Sequence, residues 1–149
     1  MKIIAANKRA NYDYIISNKI EAGIVLTGSE VKSLRINTGS IRGSFIIEKK
    51  GELWLSSCYI KKYNNSSNNA NYDPNRERKL LIKKKEFNKI LGSLKNGGFS
   101  IIPIELYFTK NGLVKLLFGL GKGKKKFDKR ESLKEKDWNI KKNKMLKKN

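Results

Sequence analysis

Asn7, Lys8 and Arg9 place an amide, an ammonium and a guanidinium side by side near the start of the chain. That trio suits phosphate oxygens and the donor and acceptor edges of bases, although a solvated N-terminal arm is the plainer reading. Glu21 is the odd group in a basic chain. A carboxylate repels phosphate, yet it can accept a hydrogen bond from a base amino group, as Glu does with cytosine. It can equally orient a neighbouring Arg or cap backbone amides. Leu81 follows Arg78, Lys79 and Leu80 in an alternating stretch, where neighbours point to opposite faces. One of the two leucines is expected in the core and the other exposed beside cations, where it can pack on an unstacked base or a ribose. Lys122, Lys124, Lys125 and Lys126 are interleaved with Gly121 and Gly123. The glycines permit close backbone approach and the lysines neutralise phosphates without reading sequence, so the segment reads as a flexible basic hinge. Asp128 precedes Lys129 and Arg130; an acid in a basic run suits a helix start, where its carboxylate satisfies free amides.

Other chemistry is limited by the inventory. The 149 residues hold 34 Lys and Arg, 13 Asp and Glu, no His and one Cys, for a net charge of +21. Without His there is no imidazole base, no Ser-His-Asp or Cys-His pair and no His-ligated metal. Cys58 alone excludes an internal disulfide or a thiolate cluster, and its place in the apolar run Leu53 to Ile60 reads as a small buried hydrophobe. The acids in the first 118 residues are scattered and form no recognisable pair for a metal-dependent nuclease. Expectations are therefore no enzyme activity, no metal, no cofactor and no small-molecule substrate. A charge of this size calls for a polyanionic partner. Nucleic acid comes ahead of an anionic membrane surface, which would call for a long amphipathic helix with a broad apolar face. Lys, Asn and Ile are also residues of A/T-rich codons, and only six of the cations are Arg, so genome composition accounts for some of the charge. No apolar run approaches the roughly twenty residues of a membrane span, and the opening one is too short for a signal-peptide core. A cytoplasmic monomer is expected.

The elements that must position these groups read mainly as β-structure. Tyr14-Ile15-Ile16 and Ala22 to Leu26 are strand-like, separated by Ser17-Asn18-Lys19. Thr27-Gly28-Ser29-Glu30 is a capping box opening a short helix with Val31 and Leu34 inward, stopped by Gly39. Phe45-Ile46-Ile47 and Leu53-Trp54-Leu55 flank a turn at Lys49 to Glu52, a hairpin signal. Phe87, Ile90, Leu91 and Leu94 follow helical spacing, giving an amphipathic helix over Glu86 to Lys95 closed by Gly97-Gly98. Two last strands, Ser100 to Phe108 and Leu113 to Leu120, meet at Lys110-Asn111-Gly112, and Pro103 favours an edge or bulge position. About six strands with two or three short helices predict an OB-like closed antiparallel barrel. The domain division is expected at residue 120. Residues 119–149 carry 13 basic and 4 acidic side chains with few large apolar ones, so a tail over 121–149 is expected to be disordered when free.

Several segments together resemble the small protein B family, the SsrA-binding proteins of bacterial trans-translation. They are Asn7-Lys8-Arg9-Ala10, Tyr14 through Leu26, Thr27-Gly28-Ser29-Glu30-Val31-Lys32-Ser33-Leu34-Arg35, and Gly51 to Leu55. Further on come Asp73-Pro74 before Arg76 and Arg78-Lys79-Leu80-Leu81, Leu106-Tyr107-Phe108 before Lys110-Asn111-Gly112, Gly119 to Lys125, and Asp128-Lys129-Arg130. The resemblance runs from about residue 6 to 138 in the family's order and spacing. It implies an OB-like barrel that binds the tRNA-like domain of transfer-messenger RNA and delivers it to stalled ribosomes. It implies RNA-binding roles for Asn7, Glu21 and Leu81, and a role in accommodation for Asp128, Lys129 and Arg130. The tail then enters the empty mRNA channel near the decoding centre. Lys8, Arg9, Tyr12, Arg78, Lys79, Lys122, Lys124 and Lys125 join the expected RNA-binding set. Lys134, Lys136, Trp138 and Met145 join the expected ribosome contacts, with the tail helical when bound. The family commonly carries His where this chain has Tyr12; Tyr can still stack but cannot become cationic. Two other readings remain: a generic basic barrel for structured RNA, and an enzyme acting on nucleic acid.

Overall fold

In a computed structural model of the chain, the described residues are 1–36, 39–63, 71–124 and 130. One antiparallel sheet of seven strands holds the described residues together. The strands are β1 (Lys2–Ala6), β2 (Tyr14–Ile24), β3 (Phe45–Lys49), β4 (Glu52–Ser56), β5 (Arg78–Leu81), β6 (Phe99–Phe108) and β7 (Val114–Gly123). Their order in the sheet is β1-β6-β7-β2-β5-β4-β3. Three helices accompany them: α1 (Ala10–Asp13), α2 (Gly28–Ile36) and α3 (Lys84–Lys95).

The expected hairpins form. β3 and β4 pair from Lys49↔Glu52 to Phe45↔Ser56, with Lys50 and Gly51 both at positive φ in the turn, the geometry a two-residue hairpin turn requires. β6 and β7 form the longest ladder. Its register shifts between Pro103 and Glu105, because proline has no amide to donate. Pro103 thus sits at a bulge, but in a strand flanked on both sides.

Four features depart from expectation. The apolar start of the chain forms β1, an edge strand on β6. Ser17, Asn18 and Lys19 do not divide two strands; they form a bulge within the eleven-residue β2, with Asn18 at φ 50. Gly121 and Gly123 belong to β7 rather than to a hinge. A methyl group at Gly121 would lie 2.6 Å from Ile102 Cγ1 and 3.1 Å from Tyr14 Cβ, so this glycine exists for close packing. The sheet therefore extends past the expected boundary at 120. Finally, the sheet curls without closing into a barrel. β3 packs near β6, but the edges β1 and β3 share no ladder. A cleft of about 800 Å³, lined by Asn7, Arg42, Phe45, Glu48, Phe99 and Pro103 among others, lies along that seam. Each edge strand is only five residues long, which leaves few backbone groups with which to close it.

The concave side holds one core that includes Ile20, Ala22, Leu34, Ile46, Leu53, Leu55, Leu80, Ile90, Leu106, Leu116, Phe118 and Leu120. α2 seals part of it with Leu34 and Val31, and α3 contributes Ile90 with Phe87 and Leu94. The capping box of α2 is complete: the Glu30 amide donates to Thr27 Oγ1 (3.2 Å) and the Thr27 amide to Glu30 Oε1 (2.9 Å).

Glu30 does more than cap. Its side chain is fully buried. It accepts from Arg76 Nη2 (2.5 Å), and from Arg78 Nε (2.8 Å) and Nη2 (2.5 Å). Arg78 is also fully buried and donates to the carbonyls of Cys58 and Pro74. Tyr72 Oη joins the cluster and donates to the Ile60 carbonyl (2.8 Å). Burial raises the pKa of Glu30, and hydrogen bonds from Arg76, the Thr27 amide and Arg78 more than reverse it, so the carboxyl titrates below its ordinary value. A depressed folded pKa contributes stability that is present above the unfolded value and lost as pH falls through the folded one. Glu30→Gln is expected to cost about 3–5 kcal/mol, because it strands buried guanidinium charge. Urea titrations should show that difference at pH 7 and a smaller one as pH falls below the ordinary carboxylate range and through the depressed folded value.

Candidate nucleic-acid interface

Directly paired residues share a face of the sheet, so register alone assembles the convex surface. One rung runs Leu81–Gly23–Lys115–Tyr107–Ile3 across β5, β2, β7, β6 and β1. The next runs Glu21–Leu117–Glu105–Ala6. Leu81 is 53% exposed, whereas Leu80 is 3% exposed in the core, resolving the pair as alternation requires. Leu81 lies over Gly23, where an added methyl would come within 3.3 Å of its Cβ. Glu21 is exposed on the same face. Its carboxylate accepts from the hydroxyl of Tyr107, whose ring is 5% exposed. Burial first, then Glu21 and Glu105, raise the pKa of Tyr107, so the hydroxyl stays protonated and remains a donor. Among the described residues, the group that Glu21 meets is thus a tyrosine hydroxyl rather than the Arg or the backbone amides expected.

Beside Leu81, Lys79 Nζ donates to Glu52 (2.9 Å) across the β4–β5 pair. Further along the face Lys49 pairs with Glu77 (2.5 Å) and lies 5.2 Å from the Trp54 ring centroid. The face is thus a mosaic of cations, carboxylates and exposed apolar groups, set side by side by the ladders.

At one end of the sheet Asn7 closes the step from β1 into α1. Its Nδ2 donates to the Pro103 carbonyl (3.0 Å), its amide to Ile104 (2.8 Å), and its Oδ1 accepts from the Arg9 amide (3.3 Å). The side chain therefore shapes the turn that presents Lys8 and Arg9, both exposed. Arg9 pairs with Asp13 (3.4 Å) and lies 5.0 Å from the centroid of the Tyr12 ring. Lys122, exposed at the end of β7, pairs with Ile15 and Phe99, and the Lys124 amide donates to the Asp13 carbonyl (2.9 Å). Asn7, Arg9, Tyr12, Lys122 and Lys124 are in this way gathered around α1 and the end of β7.

Arg78 requires correction. It is expected on the RNA-binding surface, but with no exposure and four internal partners, Glu30, Tyr72 and the carbonyls of Cys58 and Pro74, it holds β5 from inside. The alternation that sends Lys79 and Leu81 outward turns Arg78 and Leu80 inward. Lys125, Asp128, Lys129, Lys134, Lys136, Trp138 and Met145 lie outside the described residues; Arg130 is exposed. Tyr107, Glu105 and Lys115 were not singled out beforehand. Their signal was present in the alternation Glu105-Leu106-Tyr107-Phe108, where register with Glu21 makes the odd-numbered positions convex.

The model of the family described as SmpB protein matches residues 4–148. This chain belongs to that family. SsrA-binding proteins similar to it include that of Ehrlichia canis, 46% identical over all of both chains. That of Wolbachia from Culex pipiens is 42% identical over all of this chain and 99% of the relative. That of Sulfurihydrogenibium is 50% identical over 91% of this chain and 88% of the relative. A solved structure reported as "tmRNA-SmpB: a journey to the center of the bacterial ribosome" superposes with a TM-score of 0.65 at 42% identity, covering 86% of this chain and 92% of that one. Family membership thus matches the resemblance carried by the residues.

Cys58, inside the fold and beneath Arg78, has no exposure, and burial pushes its thiol up to about 11. A thiol reagent at pH 8 is expected to modify it only after denaturation, since the thiolate is the reactive form. Native-state labelling at a rate comparable to that of an exposed cysteine would contradict this placement.

Proposed function

We propose that this protein binds the tRNA-like domain of transfer-messenger RNA and delivers it to stalled ribosomes in the bacterial cytoplasm, working by binding and not by catalysis. The observation that carries the proposal is the family match over 4–148, joined to full-length relatives named for SsrA binding and a neighbour reported with the ribosome. The curled sheet is then an opened OB-like barrel whose convex face and α1 end meet RNA.

The chemistry divides by location. On the convex face, Glu21 accepts from a base amino group while Tyr107 holds its carboxylate in place, and Leu81 packs on an exposed base or ribose. Around α1, Asn7 sets the backbone turn, Lys8 and Arg9 meet phosphates, and Tyr12 offers a ring face for stacking. Lys122 and Lys124 extend the cationic set at the end of β7, Lys125 is assigned to RNA with them, and Asp128, Lys129, Arg130, Lys134, Lys136, Trp138 and Met145 are assigned to the ribosome. Arg78 supports this surface from beneath.

Competition binding at fixed salt tests the reading. Transfer-messenger RNA is expected to be preferred over bulk tRNA and duplex RNA by about two orders of magnitude or more, within the range of specific recognition. Comparable affinity for all three would favour a generic basic RNA-binding protein. Leu81→Ala and Glu21→Gln should each weaken binding by about 5–30-fold, roughly the 1–2 kcal/mol of a base contact, with little change in the slope of affinity against salt. Lys8→Gln should instead reduce that slope by about one phosphate.

A further inference from the structure

The exposed side of α3 carries a feature that folding does not require. The helix buries Ile90 and partly buries Phe87 and Leu94, which sets its inward direction. At 3.6 residues per turn, Gly92 falls near the middle of the opposite arc. Lys84 and Lys95 lie on one side of it, Lys89 on the other, and Lys85 and Asn88 beside it. All of these are exposed. A glycine inside a helix costs about 1 kcal/mol relative to alanine. Gly92 has no steric reason to be there: a methyl group built on it meets nothing within 4 Å, and its φ is not in the left-handed region. The result is an exposed position without a side chain, flanked one turn away by Lys89 and Lys95 and by Asn88 and Asn96, with Lys84 and Lys85 about two turns away toward the start of the twelve-residue helix.

Position says what this side of the helix faces. The first turn of α3 shares a groove of about 490 Å³ with Lys79 and Leu81, lined also by Glu52, Phe87 and Asn88. Beyond its other end, Gly98 lies next to Lys122, whose Cε would be 3.9 Å from an added methyl. At 1.5 Å per residue α3 spans about 18 Å, running between the two groups assigned above to RNA. Among its own side chains only Glu86 is acidic, and it is half-buried. Lysines spaced along a helix face with a side-chain-free position among them match a sugar-phosphate strand, which is anionic and ridged.

We propose that α3 lies along the backbone of the tRNA-like domain of transfer-messenger RNA, with Gly92 at the point of closest approach and Lys84, Lys85, Lys89 and Lys95 on flanking phosphates. This rests on the functional reading above and adds a contact surface to it. A larger side chain at 92 lifts the helix off the strand even though it strengthens the helix itself, so stability and affinity move in opposite directions.

The test uses full-length protein and a transcript of the tRNA-like domain. Gly92→Ala and Gly92→Gln are expected to raise Tm by about 3 °C, while Gly92→Gln weakens binding at least tenfold and Gly92→Ala by less. Lys85→Gln with Lys89→Gln should lower affinity and reduce the salt slope by about 1.5. Binding of Gly92→Gln within twofold of wild type, or a fall in Tm for both Gly92 variants, would overturn the proposal. Wild type that fails to prefer this RNA over bulk tRNA would overturn the functional reading instead, so the two failures are separable.

Discussion

A single buried carboxylate ties α2 to the Cys58–Ile60 segment and to the segment leading into β5. Glu30 closes the cap of α2 with its own backbone and Thr27, and holds Arg76 and Arg78 with the same two oxygens. Through Arg78 the connection reaches the carbonyls of Cys58 and Pro74, and through Tyr72 that of Ile60. Buried ion pairs are weak evidence of net stability, since desolvation offsets much of their attraction. Their effect here is on arrangement. Unpaired, neither guanidinium nor carboxylate can stay inside, so this set of contacts excludes packings that would separate α2 from the segment leading into β5.

What depends on that arrangement is the convex face. β5 is only four residues long and pairs with β2 through Gly23↔Leu81 and Ile24↔Leu80. With Arg78 pinned inside, the two-residue period of a strand sends Lys79 and Leu81 outward, Lys79 opposite Trp54 and Leu81 onto the rung shared with Gly23, Lys115 and Tyr107. The residues assigned to RNA are thus positioned by a residue that touches none. Glu21 is held from a different side, by a tyrosine whose own burial keeps it a donor. A carboxylate placed by the scaffold loses less freedom on meeting a base than one that must be ordered by it.

Local signals were readable wherever the physics is local. The capping box at Thr27 to Glu30, the Lys50-Gly51 turn and the helical spacing of Phe87, Ile90 and Leu94 all involve residues within one turn or hairpin. The outward placement of one leucine of the Leu80–Leu81 pair followed from alternation. Features that depend on distant partners were misread. The start of the chain looks like a short apolar arm until β6 offers it an edge. Ser17 to Lys19 looks like a break, because a bulge is recognised only by a register shift against β7. Arg78 looks like a surface cation, since nothing within a few residues reveals a carboxylate 48 positions away.

By itself the sequence determined a mainly antiparallel β protein with short helices, a cationic surface without the groups for common catalysis, and membership of a family through motifs spread along most of the chain. These depend on residue type and near-neighbour spacing, which a chain carries before it folds. Tertiary structure alone decided that the sheet stays open between β1 and β3, that Gly121 serves packing, that Arg78 and Glu30 form the interior and that Tyr107 meets Glu21. Each of those outcomes is a choice among partners far apart in the chain, made by burial and register together.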